Sequence, residues 1–307
     1  MEQLAGSAVP EAYARTLREA FGEAGVAWLA RLPSLLADLA ARWELTLGAP
    51  FELSYNYVAP AVRADGTRAV LKIGVTPSEN FRELAALLVY DGDGACRVLE
   101  SDARRCAMLL ERAVPGDMLV GLVSTDDDRA TRIGARVLRR LWRPVPAESA
   151  STFKPLAEWF TRAFERHRLA FGGAGPLPER VFAAAVDVAR ALLESWPAPV
   201  LLHGDFHHYN VLSATRTAWL AIDPKGMTGD PGYDVGPFVC NPRPADGWSP
   251  ELLCRRLDIL AEELDYDRAR LRDWSVAHAV LSACWSVEEH DGTQAGHAII
   301  AAEMLLS

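Results

Sequence analysis

Apolar residues recur at near-helical spacing through the first forty residues of the chain. The pattern predicts two amphipathic helices between about Pro10 and Ala41, because a surface helix buries one face and exposes the other. The residues that carry this spacing are Leu17, Phe21, Trp28, Leu32, Leu35, Leu36 and Leu39. The two helices are expected to pack ahead of the first strand of a sheet.

A change to strand-like patterns follows these helices. Trp43 to Leu47 predicts a first strand, and the runs from Tyr55 to Val62 and from Arg68 to Ile73 predict a hairpin. The Ala-Asp-Gly sequence at 64–66 supplies its turn. A helix is expected from Ser78 to Tyr90. This order indicates a small antiparallel sheet carrying helices.

The middle of the chain is mainly helical in pattern. Met108 to Gly116 predicts a strand that breaks at its Pro-Gly end, which suits a hinge. Helices are predicted from Asp126 to Trp142 and from Phe153 to Phe171. The linker-like segment Gly172 to Pro178 is expected to join helices rather than domains. Beyond the loop at 241–244 the remaining pattern is helical.

A polar stretch between short apolar runs stands out in the second half of the chain. Val200 to Leu202 predicts a buried strand, and two further strands run from Asn210 and from Ala218 to Ile222. If these two strands form a hairpin, its ends lie side by side at about 5 Å. Asn210 and Asp223 then meet at one rim, with Asp205 five residues ahead of Asn210.

These three side chains carry oxygen donors that suit Mg²⁺ held by few protein groups and completed by phosphates and water. Phosphoryl transfer requires positioning, charge neutralisation and one base that orients the attacking hydroxyl. We therefore expect Asp205 to be the base and Asn210 and Asp223 to be the metal ligands.

Composition narrows the classes of function. The chain has 307 residues, half of them hydrophobic, so it can bury a large core. Its net charge of −9 disfavours nucleic acid and is compatible with a cationic substrate. Five cysteines without metal-binding spacing indicate free thiols in a reducing cytosol. We find no secretory leader pattern or apolar run of membrane-spanning length, and expect a soluble cytoplasmic protein.

The sequence HGDFHHYN at 203–210, followed by Ile222-Asp223-Pro224, resembles the aminoglycoside phosphotransferase family, in particular its streptomycin and hydroxyurea kinase branch. The likeness extends through Asp234 and the helix around Leu281 to Trp285. It implies a two-lobed α+β kinase-like fold, with a small antiparallel sheet lobe at residues 1–112. A larger, mainly helical lobe at 113–307 would meet it at a cleft near Glu111 to Gly116.

The resemblance also implies Mg²⁺ and ATP or GTP as co-substrate. His203 would brace the catalytic loop by hydrogen bonds, and Asp234 would support the same loop. Protein kinases usually carry a Lys two residues after the catalytic Asp, where this chain has His207. That departure argues against a protein substrate. His207 and His208 receive no role.

Lys72 is unusual because it lies within the apolar strand Ala-Val-Leu-Lys-Ile and therefore requires a partner. Glu83 on the following helix can supply one, and Glu79 is the alternative. The resemblance implies that the Lys holds the nucleotide's phosphates while the Glu orients it.

Three further nucleotide contacts come from the resemblance. The backbone of Glu111 and Ala113 would hydrogen-bond the nucleobase. The glycine-rich phosphate loop of protein kinases is absent between Leu47 and Tyr55, and Ser54 and its neighbours are expected to cover the phosphates.

Two other classes of function remain open. The cluster His203, Asp205, His207 and His208 could hold zinc or two metals in a hydrolase. Alternatively, the fold could serve as a binding protein without turnover, although the complete set Lys72, Asp205, Asn210 and Asp223 argues against this.

The expected acceptor is an aminoglycoside, with streptomycin favoured, phosphorylated on a hydroxyl of its guanidinylated ring. A dication requires carboxylates, and Glu288, Glu289 and Asp291 follow the late apolar turn. A metabolic sugar, an amino alcohol and hydroxyurea are the alternative acceptors. The expected state is a monomer or weak dimer without nucleic-acid or membrane partners.

Overall fold

The computed structural model describes residues 9–195, 198–289 and 295–307. The chain divides into two compact units. The small lobe comprises the chain up to Gly92 together with Cys96–Ala113, and the large lobe comprises Asp93–Ala95 and Val114–Ser307. Each lobe has its own secondary structure and is described separately.

From residue 9 onwards, the described part of the small lobe is a five-stranded antiparallel sheet with two α-helices. The strand order is β1-β2-β3-β5-β4. The elements are α1 (Glu11–Arg42), β1 (Leu45–Leu47), β2 (Tyr57–Arg63), β3 (Arg68–Ile73), α2 (Pro77–Tyr90), β4 (Val98–Asp102) and β5 (Ala107–Glu111). The hairpin predicted from alternating residues is confirmed, with Tyr57 opposite Ile73 and Val62 opposite Arg68.

Helix α1 consists of two helical segments because Gly22 leaves the helical conformation at φ 55° and ψ −130°. This confirms the prediction of two helices. By length and composition α1 could cross a membrane. Several of its apolar residues pack in the core of the small lobe, where Leu17 and Leu32 join Leu71 and Ile73 of β3. Burial against the sheet is the physical reason for the apolar face of α1.

The large lobe is mainly helical, and two small sheets, of orders β11-β10-β6 and β7-β9-β12-β8, lie among the helices. Its strands are β6 (Pro115–Met118), β7 (Arg143–Pro144), β8 (Lys154–Pro155), β9 (Val200–Leu202), β10 (Val211–Ala214), β11 (Trp219–Ala221) and β12 (Met227–Gly229). Its helices are α3 (Val120–Leu141), α4 (Leu156–Phe171), α5 (Glu179–Glu194), α6 (Val235–Val239), α7 (Pro250–Leu264), α8 (Arg268–Glu289) and α9 (Ala295–Leu306).

Helix α8 forms the centre of this lobe and packs against α4, α5, α6, α7 and α9. Trp274 of α8 is fully buried and contacts the rings of Phe160 and Tyr233 at centroid distances of 5.6 and 5.8 Å. Tyr233 immediately precedes Asp234 in the chain. The aromatic core therefore fixes the segment that carries Asp234.

Several boundaries differ from those predicted. Strand β5 ends at Glu111, and Pro115 and Gly116 begin β6 instead of ending the earlier strand. Strand β6 is an edge strand paired only with β10, a position at which a residue without an N–H is tolerated. Helix α3 begins at Val120, six residues before the predicted start, and is interrupted at Asp126 (φ −158°, ψ 76°).

A buried ion pair ties α7 to α3 and to the chain after α6. The guanidinium of Arg256 is fully buried and donates to both carboxylate oxygens of Asp127, at 2.7 and 3.0 Å. It also donates to the carbonyl oxygens of Val239 and Asn241, at 2.9 and 3.0 Å. All these acceptors lose their partner if the side chain is removed.

We predict that Arg256→Leu lowers the free energy of unfolding by about 3–5 kcal/mol, because it leaves the Asp127 charge and two carbonyls without a donor. Urea denaturation measures this cost. Arg255→Leu is the matched control, since the Arg255 side chain is 65% exposed in its pair with Asp128, whereas Arg256 is fully buried, and the exposed arginine is expected to contribute less than about 1 kcal/mol. Equal losses of unfolding free energy in the two variants would contradict the stabilising role given to the buried Arg256.

Candidate active site

The loop between β9 and β10 places the predicted catalytic residues at one end of the β10–β11 hairpin. Gly204 adopts φ 83°, a left-handed conformation that favours glycine. A Cβ at this position would lie 2.8 Å from the Met227 sulfur and 3.0 Å from Cβ of Lys225. Both the backbone angle and the close approach of 225–227 therefore require glycine before Asp205.

Asp234 holds this loop through hydrogen bonds to its backbone. Its carboxylate is fully buried and accepts hydrogen bonds from the backbone N–H groups of His203 (3.0 Å) and Gly204 (2.8 Å). The indole of Trp142 donates to the same carboxylate at 3.3 Å. Burial raises the pKa of Asp234 to about 6, against the opposing effect of these donors. The supporting position predicted for Asp234 agrees with this geometry.

His203 links the loop to the end of the hairpin. Its Nε2 lies 2.8 Å from the carbonyl oxygen of Ile222, and its Nδ1 accepts from the backbone N–H of Asp205 at 3.3 Å. These contacts require a neutral ring that carries its proton on Nε2. Burial lowers the pKa of His203 to about 4, which keeps the ring neutral.

The carboxylate of Asp205 is partly exposed and has basic groups on both sides. One oxygen lies 3.6 Å from Nζ of Lys225, and the other lies 3.6 Å from Nε2 of His207. Both distances exceed hydrogen-bonding range, so the carboxylate oxygens can still accept a proton or hydrogen bond from a substrate.

The hairpin brings Asn210 and Asp223 together, as the alternation of strands predicted. Val211 pairs with Ala221, and the N–H of Ile222 donates to the carbonyl of Asn210 at 2.9 Å. The amide nitrogen of Asn210 donates to the carbonyl of Asp205 at 3.0 Å, which leaves its side-chain oxygen as an acceptor. Asp223 directly follows Ile222 and is partly exposed, so the backbone places an amide oxygen and a carboxylate at the same end of the hairpin, and donors of this kind fit Mg²⁺.

The histidine cluster does not support the hydrolase alternative. His208 is buried and stacks on Phe238 at a ring-centroid distance of 3.8 Å, while His203 faces a backbone carbonyl. Within the described ranges, no group of three or more His, Cys, Asp or Glu side chains is arranged to hold a metal ion. His208 therefore contributes to packing and His203 to loop geometry, while His207 lies 3.6 Å from the Asp205 carboxylate.

In the small lobe, the strand lysine has the predicted acidic partner. The Nζ of Lys72 donates to Glu83 at 2.6 Å, and both side chains are buried, at 4% and 9% exposure. The structure thus selects Glu83, while Glu79 is exposed in the first turn of α2. A buried ion pair of this length fixes the direction of the Lys72 side chain.

The other predicted nucleotide contacts lie within the small lobe. Ser54 is exposed in the loop between β1 and β2. Glu111 ends β5, where its N–H donates to the carbonyl of Arg97 at 2.8 Å and its carboxylate accepts from the Arg97 N–H at 3.1 Å. Ala113 is the last residue of the lobe. Their roles stay predictions.

The predicted substrate carboxylates lie at the end of α8. Glu288 accepts from Arg166 at 2.5–2.8 Å, so its charge is compensated within the chain, while its second oxygen is buried without a partner. The side chain of Glu289 and the whole of Asp291 lie outside the described residues. A role for Glu288 in substrate binding stays a prediction.

Sequence reasoning missed two residues that help to form the site. Trp142 donates to Asp234, the residue that holds the loop, but it is 92 positions from Asp234 and no local pattern indicates their contact. Lys225 could have been noticed, because lysine is rare in this chain and this one follows Asp223 by two residues.

A small antiparallel sheet lobe, a helical lobe and the Asp205–Asn210–Asp223 arrangement define a phosphotransferase of the protein-kinase-like class. Residues 42–290 match the family described as aminoglycoside/hydroxyurea antibiotic resistance kinase, and the chain belongs to that family.

Individual proteins are similar along most of the chain. The streptomycin 6-kinase of Streptomyces glaucescens is 34% identical over 300 residues, covering 92% of this chain and 91% of that protein. The hydroxyurea phosphotransferase of Kitasatospora aureofaciens is 35% identical over 290 residues, covering 93% and 82%. A mutant of the aminoglycoside phosphotransferase APH(4)-Ia, in complex with ADP and hygromycin B, has the same fold (TM-score 0.62, 16% identity, covering 88% and 97%).

The buried neutral histidines predict acid sensitivity. Burial lowers the pKa of both His203 and His278 to about 4, from the ordinary histidine value of 6.5. Between these two pH values the rings therefore stay neutral in the folded chain but bind a proton in the unfolded chain. Their contribution to stability is present above pH 6.5 and is lost as the pH falls towards 4. Asp234 opposes this loss in part, because its raised pKa lets the folded chain bind a proton first.

We predict that His278→Phe reduces the loss of unfolding free energy between pH 7 and pH 5, measured by urea denaturation. At about 1.4 kcal/mol for each pH unit separating two pKa values, the complete contribution of one such histidine is roughly 3 kcal/mol. Identical pH dependence in the variant and the wild-type protein would contradict the buried neutral state of His278.

Proposed function

We propose that this protein transfers the γ-phosphoryl group of a nucleoside triphosphate to a hydroxyl of an aminoglycoside, with streptomycin the favoured acceptor. The observation that carries the proposal is the joint presence of the Asp205–Asn210–Asp223 arrangement and 34% identity to a streptomycin 6-kinase across nearly the whole chain. The biological consequence is inactivation of the antibiotic in the cytoplasm.

Asp205 is the base of this reaction. Its partly exposed carboxylate accepts the hydrogen bond of the acceptor hydroxyl and takes its proton as the oxygen attacks the γ-phosphorus. The bond between the γ-phosphorus and the bridging oxygen breaks, and the nucleoside diphosphate leaves with the electron pair. Asp234 and His203 hold the loop so that Asp205 keeps its position.

Asn210 and Asp223 would hold the metal ion, since both offer oxygen donors at the end of the hairpin. A Mg²⁺ ion held there would supply positive charge to the phosphates. Few protein ligands suit this ion, since phosphates and water complete its coordination.

The small lobe supplies the contacts to ATP or GTP. Lys72, oriented by Glu83, binds the phosphates, and the exposed loop around Ser54 covers them. The backbone of Glu111 and Ala113 hydrogen-bonds the nucleobase. The ion pair with Glu83 already restricts the Lys72 side chain, so phosphate binding costs less side-chain conformational entropy.

Recognition of a cationic acceptor uses the acidic character of the chain, whose net charge is −9. Glu288 and Glu289 are the carboxylates proposed for a guanidinium group. Glu288 is paired with Arg166 and is 15% exposed, so this role requires the substrate to share or displace that contact. We propose that the protein acts as a monomer or weak dimer.

Hydroxyurea is the second candidate acceptor, because the hydroxyurea phosphotransferase is as similar to this chain as the streptomycin kinase is. Incubation with Mg-ATP and each compound, followed by mass spectrometry, distinguishes them. Streptomycin heavier by one phosphoryl group supports the favoured acceptor. A phosphorylated product from hydroxyurea alone, or from a sugar or amino alcohol alone, would reject it.

We predict that Asp205→Asn lowers kcat by about 10²–10⁴ with little change in either KM, since the amide keeps the shape but cannot accept the proton. Steady-state kinetics with the identified acceptor measure the effect. Asp187→Asn is the matched control, because this exposed carboxylate on α5 pairs only with the neighbouring Arg190 among the contacts described. Normal turnover by Asp205→Asn would reject the assignment.

Asp223→Ala is expected to act on use of the metal-bound nucleotide. The variant loses a charged oxygen ligand, so nucleotide affinity should lose most of its dependence on Mg²⁺. Calorimetric titration of the nucleotide with and without Mg²⁺ measures this directly. Retention of the full Mg²⁺ dependence would remove Asp223 from the ligand set.

A further inference from the structure

Lysine is rare in this chain. It occurs at three positions, Lys72, Lys154 and Lys225, against 29 arginines. Lys72 forms the buried pair with Glu83, and Lys225 lies beside Asp205. The ammonium of Lys154 lies over the ring of Trp159, 4.7 Å from its centroid. A chain that uses arginine almost throughout thus places a lysine next to its proposed base.

The backbone fixes Lys225 at this position. Its N–H donates to the carbonyl of His203 at 2.7 Å, and its Cβ approaches Gly204, where any side chain would collide with it. The side chain begins at a defined point, two residues after Asp223, and extends to the carboxylate of Asp205. Its placement is therefore set by the same loop that positions the base.

The contact with Asp205 leaves N–H groups of the Lys225 ammonium available as donors. Its Nζ lies 3.6 Å from Asp205, which is an ion-pair distance but longer than a hydrogen bond, and the side chain is 51% exposed. An ammonium has three donors in freely rotating positions. At least one of these three N–H groups can donate a hydrogen bond to a further anion beside Asp205.

The catalytic loop itself offers no permanent cation. His207 occupies the position two residues after Asp205, where protein kinases usually carry a lysine, and an imidazole is a much weaker cation. Within 203–210 there is no Lys or Arg. A cationic side chain beside Asp205 therefore has to come from another segment, and the ammonium of Lys225 lies 3.6 Å from the Asp205 carboxylate.

We propose that Lys225 contacts the transferring phosphoryl group and stabilises its charge, supplying from the segment after Asp223 the cation that the catalytic loop lacks. The inference rests on the proposed phosphotransferase function. The acceptor oxygen forms its bond to the γ-phosphorus, its proton passes to Asp205, and the bond to the nucleoside diphosphate breaks. Lys225 keeps all its protons and donates hydrogen bonds to a non-bridging phosphoryl oxygen.

The choice of lysine over arginine has a physical reason at this position. An arginine beside a carboxylate forms two parallel hydrogen bonds, which would occupy both oxygens of Asp205. The flexible point charge of lysine leaves those oxygens open to the acceptor hydroxyl. A proton acceptor and a phosphate-binding cation can then work side by side.

The test compares Lys225→Met with the wild-type protein. We expect kcat to fall by about 10²–10³, the loss typical of one donor to a transition-state charge, with KM values within about threefold. Lys225→Arg keeps a positive charge but is expected to occupy the oxygens of Asp205, so its kcat should also fall well below that of the wild-type protein. An Arg variant as fast as the wild-type protein would overturn the stated reason for lysine at this position.

Lys154→Met is the matched control, since it removes the same charge from the same lobe at a contact with Trp159 rather than with Asp205. It is expected to keep kcat within about threefold of wild type. Thermal denaturation of both Met variants separates a catalytic loss from a folding defect. If Lys225→Met turns over normally, Lys225 has no role in transfer.

The ratio of the wild-type kcat to the kcat of Lys225→Met is measured with three acceptors: streptomycin, hydroxyurea and water. Transfer to water is observed as slow hydrolysis of the nucleotide. A cation on the phosphoryl group predicts an equal loss for every acceptor. A loss confined to one acceptor would place Lys225 in acceptor binding and overturn the inference. If streptomycin is not phosphorylated but the ratio holds elsewhere, the proposed acceptor fails while the role of Lys225 stands.

Discussion

The buried carboxylate of Asp234 is the interaction on which the geometry of the active site depends. Two consecutive backbone N–H groups, those of His203 and Gly204, point at it, and they directly precede Asp205. Burying a carboxylate is unfavourable unless donors surround it, so these hydrogen bonds and the Trp142 indole offset the desolvation. The loop has one well-satisfied conformation because any other would leave that charge without donors.

This constraint explains why the aromatic core of the large lobe matters to chemistry. Tyr233 packs on Phe160 and Trp274, which places its neighbour Asp234 under the loop. The support then continues from Asp234 through His203 to the end of the hairpin at Ile222. Packing between helices therefore supports the position of the loop that carries Asp205.

Much of this arrangement could be predicted from the sequence where the determining residues are close together in the chain. The hairpins β2–β3 and β10–β11 follow from alternation and turn residues, and they brought Asn210 next to Asp223. The strands β7, β8 and β12 are only two or three residues long. They are too short to show the alternation of apolar and polar residues from which a strand is predicted. Contacts such as Trp142 with Asp234 and Arg166 with Glu288 join residues about a hundred positions apart, which no local pattern encodes.

The ladder between β10 and β11 has a consequence for how such a site can evolve. The spacing of Asn210 and Asp223 is set by a backbone hydrogen bond at the end of the hairpin, and not by the side chains between them. Substitutions along the strands can therefore alter stability while the backbone keeps Asn210 beside the segment that carries Asp223. Surface and turn residues of this hairpin can change under this constraint, whereas a shift of its register would move the two proposed ligands apart.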